Sequence, residues 1–135
     1  MSKSALYVAN TSDQTVQVNG IITPGTIVRR FGPNISLSGN AIQIAGPGYY
    51  EIDASITVAP TAAGDVTVTV YKDGVILQGA TATESVTAGG DFATLSITSI
   101  VREFCQCCEG LTNLTFVLTG VESIVSNIAI TVEKL

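Results

Sequence analysis

The sequence predicts an all-β domain, and three observations predict it. Apolar and polar residues alternate with period two along most of the 135 residues, and no window carries apolar residues at helical spacing. The alternating runs are separated by short segments such as TPG, FGPN, AGPG, PTAAGD and TAGGD, each with the Gly, Pro, Asp or Asn that turns demand.

Taken in order, short strands are expected at Ala5 to Ala9, Thr15 to Val18 and Thr26 to Phe31, then at Ile35 to Ile44 with a break at Gly39. The clearest element follows. Tyr50, Ile52, Ala54, Ile56 and Val58 alternate with Glu51, Asp53, Ser55 and Thr57, the pattern of a long strand with one buried face. Val66, Val68 and Val70 alternate with Thr67, Thr69 and Tyr71, and this run ends at Lys72-Asp73-Gly74, where Asp-Gly signals a hairpin and Val75 to Leu77 begins the return. Further strands are expected at Phe92 to Val101, Leu114 to Leu118 and Ile124 to Val132, the last with Ile128, Ile130 and Val132 facing one way. About ten short strands in one domain, residues 1–135, leave a two-sheet sandwich or a closed barrel as the architecture. No repeat, linker or charge run divides the chain.

Composition narrows the function. Charged residues make up 13% of the chain, so much of the surface is expected to be apolar or covered by Thr and Ser. A surface of that kind is often hidden between subunits, and oligomerisation is the expectation. The net charge is −5 and the six basic residues are scattered apart from Arg29 and Arg30, which argues against nucleic acid. No apolar stretch approaches the ~20 residues of a membrane-spanning helix, and the first residues lack the apolar core of a secretion signal. A soluble protein without a membrane partner is expected. Asn10-Thr11-Ser12, Asn34-Ile35-Ser36 and Asn113-Leu114-Thr115 match the glycosylation pattern but read as ordinary residues of strands and turns.

The stretch GYYEIDASI, Gly48 to Ile56, resembles the G-x-Y-x-I/F-x-x-x-I/V core strand of the tumour-necrosis-factor and complement-head superfamily of trimeric jelly rolls. The order of the remaining segments is similar too: ALYVANTSDQTVQVNG and AIQIAGPG before it, VTVTVYKDGVIL and the closing IAITVEKL after it. The resemblance implies a jelly-roll sandwich and a homotrimer. Within the superfamily it points to the short bacterial and phage members, such as collagen-stemmed spore-filament tips and phage head-fibre or capsid-decoration proteins. This chain has neither a collagen repeat nor a coiled-coil shaft. A bare trimeric head on a virion surface, made in the host cytoplasm, is therefore the expected role. A spore-surface protein and a receptor- or glycan-binding fibre head are the alternatives.

The chain has no His, which removes Ser-His-Asp, Cys-His and His-metal chemistry. Glu51, Asp53, Asp65, Asp73 and Glu103 read as outward-facing or turn carboxylates, and calcium ligation by Asp65 or Asp91 lacks the clustered Asp-x-Asp pattern. A non-enzymatic protein with no metal and no cofactor is expected. Tyr50 reads as core, whereas Tyr49 on the opposite face, with Tyr7 and Tyr71, is a candidate subunit contact. Cys105, Cys107 and Cys108, the only cysteines, fall within FCQCCEG. They read either as small apolar side chains at a loop or interface, or as an interchain staple.

Overall fold

The computed structural model describes residues 3–103 and 111–135, and among these every regular element is a strand. Twelve are formed: β1 (Ala5–Asn10), β2 (Gln14–Val16), β3 (Gly20–Ile21), β4 (Thr26–Phe31), β5 (Ile35–Ser38), β6 (Ala41–Ile44), β7 (Gly48–Pro60), β8 (Gly64–Lys72), β9 (Val75–Val86), β10 (Ala93–Glu103), β11 (Thr112–Thr119) and β12 (Ser123–Lys134). They make two antiparallel six-stranded sheets. The first runs β10-β7-β12-β1-β4, with β2 also on β12; the second runs β5-β6-β11-β8-β9, with β3 on β11.

Alternation decides which side chains meet between the sheets. In β7, Tyr50, Ile52, Ala54, Ile56 and Val58 are buried, while the residues between them face outward. Val66, Val68 and Val70 of β8 and Leu114, Phe116 and Leu118 of β11 oppose them from the second sheet. Each such side chain contributes about 1.5–3 kcal/mol on leaving water, and together they form one core.

The departures from the sequence reading have local causes. The expected strand at Thr15 to Val18 ends earlier, at Val16, and a further short strand, β3, follows Asn19, whose φ is a positive 69°; β2 pairs with β12 in the first sheet and β3 with β11 in the second. The return strand after Asp73-Gly74 continues to Val86, past the positive φ of Gly79 and a register shift between Thr69 and Tyr71. As the sheet edge it buries little, so its sequence lacks clean alternation. In β12 a register shift between Val125 and Asn127 resets the phase. Val125 and Ile128 therefore both point inward although three residues apart, and Ile124 points out. Phe92, expected within a strand, precedes β10 and is exposed. Gly39 does interrupt the Ile35 to Ile44 run, dividing it into the β5–β6 hairpin.

Candidate assembly face

The outer face of the first sheet can be read row by row from its register. One row holds Ile100, Glu51, Glu133, Ala5 and Phe31, on β10, β7, β12, β1 and β4 in turn. The next holds Thr98, Asp53, Thr131, Tyr7 and Arg29, and the one beyond it Ser96, Ser55, Ala129 and Ala9. Small side chains occupy the middle and large ones the margins. The result is a shallow depression of about 450 Å³ whose lining includes Ser55, Ser96, Ala129 and Asp53, with Tyr7 at its rim. A second groove of about 150 Å³ runs along Ala5, Tyr7, Arg29 and Phe31 beside the β4 edge. Every residue of β4 is exposed, Ile27, Val28 and Phe31 included.

Tyr49 closes one end of this face. It is half exposed, at 52%, and the Arg102 guanidinium lies 5.8 Å from its ring centre, within cation–π range. The Leu135 amide donates to the Tyr49 carbonyl at 2.9 Å, tying the chain's last described residue to the start of β7. Behind it, Tyr50 points into the core, and its hydroxyl donates to the Gly46 carbonyl at 2.9 Å. Burial, and then the neighbouring Glu103 carboxylate, push the Tyr50 phenol above its ordinary pKa.

Glu103 corrects the sequence reading, which placed it in solvent. It is buried, at 7% exposure, and accepts a hydrogen bond from the Thr112 hydroxyl. The signal was present, because Glu103 has the same parity as Val101 on a strand that continues to its position. The other carboxylates are placed as turn or face residues. Asp73 receives the Asn113 amide at 2.8 Å, and Asp65 accepts from the Ser85 hydroxyl. Among the described residues no group of three or more His, Cys, Asp or Glu could hold a metal ion.

The outer face of the second sheet carries more paired polar side chains, although Ile21 and Ile76 are also exposed on it. Thr67 and Thr83 join hydroxyls at 2.8 Å, and Thr69 and Thr81 do so at 3.0 Å. Gln43 donates to Asn113 at 3.0 Å. Its polar groups largely satisfy one another across strands. Tyr71 belongs to this face, opposite Thr115 in the register. The three tyrosines proposed as contacts are therefore not brought together: Tyr7 and Tyr49 share the first sheet's face, and Tyr71 lies on the far side of the sandwich. Cys105, Cys107 and Cys108 lie outside the described residues.

No family model matches the chain, and no curated protein matches it. Its fold is similar to that of murine APRIL, with a TM-score of 0.74 and 10% identity over 99% of this chain and 100% of that one. The globular domain of zebrafish complement 1qA protein is similar at a TM-score of 0.67 and 9% identity, over 97% and 95% of the two chains. The vertex protein P5 of PRD1 is similar at a TM-score of 0.56 and 20% identity, over 98% and 96%. At these identities the likeness is one of fold, a jelly roll of the tumour-necrosis-factor and complement-head type.

Proposed function

We propose that this jelly roll is a non-enzymatic structural protein that assembles as a homotrimer through the outer face of its first sheet. We further propose that it is displayed on a phage virion, as a capsid decoration protein or the head of a head fibre. One observation carries the assembly reading: the outer face of the first sheet holds a depression of about 450 Å³ floored by small side chains, with exposed apolar side chains at its margins. The second sheet's face pairs threonine hydroxyls between β8 and β9, and it also presents Tyr71 with exposed Ile21 and Ile76. The first sheet's face has a floor of Ser55, Ser96 and Ala129 that a neighbour can approach closely, and margins of exposed Tyr7, Ile100 and Phe31 that gain from leaving water.

The particle assignment is supported by the fold likeness to the PRD1 vertex protein. This reading gives particle contact to the end of the sandwich where β7 begins, where Tyr49, Val75, Ile76 and Leu135 are exposed. The absence of His from the sequence is consistent with a structural role.

Size-exclusion chromatography with light scattering tests the assembly. Particles of three times the 13.9 kDa protomer mass are expected, and a monomer at micromolar concentration refutes the trimer. Labelling purified virions with an antibody to the chain tests the location. A trimer that is absent from the particles would overturn the virion assignment and leave the assembly standing.

A further inference from the structure

The face assigned to assembly is charged unevenly. Its carboxylates, Glu51, Asp53 and Glu133, lie on β7 and β12, whereas its cations lie on the two edge strands, Arg102 on β10 over Tyr49 and Arg29 on β4. Asp53 and Arg29 occupy the same row, separated by Thr131 and Tyr7. Three strand spacings of about 4.8 Å put their backbones roughly 14 Å apart. The register thus holds these opposite charges away from each other within one chain.

A second copy of this chain carries a cation for Asp53 on a suitable element. The β4 edge presents Arg29 together with exposed Ile27 and Phe31, and its far side has no strand partner in the sheet order. Resting on the trimer reading above, we propose that the β4 edge of one copy seats on the β7–β12 half of the next copy's face, with Arg29 paired to Asp53 across each contact. Donor and acceptor patches sit at different places on one face, so the contact is head to tail, and repeated by a threefold rotation it closes a ring of three. The depression beside Asp53, about 450 Å³, receives the incoming side chains. Partial exclusion of water there strengthens the pair beyond a fully exposed one.

The test compares the full chain with Arg29→Glu, Asp53→Arg and the charge-swapped double variant, by light scattering across a dilution series, with far-UV circular dichroism to confirm folding. Each single variant should raise the half-assembly concentration by more than about tenfold, the double should recover most of that loss, and added salt should weaken the parent. A second arm tests the contact directly by placing Arg29→Cys and Asp53→Cys together in a background with Cys105→Ser, Cys107→Ser and Cys108→Ser, since the two positions are too far apart within one chain to form a disulfide. Oxidation should then give bands of two and three chains on a denaturing gel. A parent that is trimeric while the single variants assemble as well as it does, or the absence of a cross-link between chains, overturns this pairing and leaves the trimer intact. A monomeric parent overturns both.

Discussion

Ala129 is the position at which the proposed assembly face is most easily blocked without disturbing the protomer. It lies mid-face on β12, between Ser55 of β7 and Ala9 of β1, while its chain neighbours Ile128 and Ile130 are fully buried. An arginine at 129 therefore projects away from the core. In an isolated chain the change should alter stability by no more than about 0.5 kcal/mol, as surface substitutions do. In a closed trimer the same side chain intrudes on a packed contact, at about 1–3 kcal/mol for each of three contacts. The total of roughly 3–9 kcal/mol lowers the association constant by about 10² to 10⁶, at 1.4 kcal/mol per factor of ten. The half-assembly concentration of a trimer varies as the inverse square root of that constant, so it should rise by about 10- to 1,000-fold. Light scattering over a dilution series reads the assembly, and a circular-dichroism melt reads the fold. Ala129→Arg that remains trimeric at the parent's concentrations would show that the first sheet's face is not the contact.

Three further outcomes are expected. Tyr50→Phe removes the hydrogen bond to the Gly46 carbonyl and should lower stability by about 1–2 kcal/mol in denaturant unfolding, with no change in assembly. Because the Tyr50 phenol is raised in the folded state from its ordinary 10.0, its contribution is complete below that value and lost as pH rises through the higher, folded one. The parent should therefore lose stability above about pH 10 more steeply than Tyr50→Phe when the two are melted in parallel. Gly25→Ala should cost about 2 kcal/mol or more, since φ there is +97° and an added Cβ would lie 2.2 Å from the Ala9 carbonyl oxygen. A melting temperature equal to the parent's would contradict that geometry.

Much of the interior was legible because burial on one face of a strand writes itself as alternation. The buried row from Tyr50 to Val58 and the Asp73-Gly74 turn, with positive φ at both residues, stand where the pattern puts them. Legibility failed where that cause was missing or ambiguous. The edge strand β9 buries little, so its full length left no apolar rhythm to follow. Glu103 was misplaced because its residue type suggested solvent, although its parity with Val101 pointed inward.

By itself the sequence determined the strand class, the inward rows and the absence of any histidine-based chemistry, all properties of neighbouring residues or of composition. Only the tertiary structure decided that Tyr7 and Tyr49 share a face while Tyr71 does not, and that Asp53 and Arg29 stand in one row. Those relations depend on strand order and register. Strand order and register arise when segments far apart in the chain pair by backbone hydrogen bonds, which carry no residue-by-residue signature.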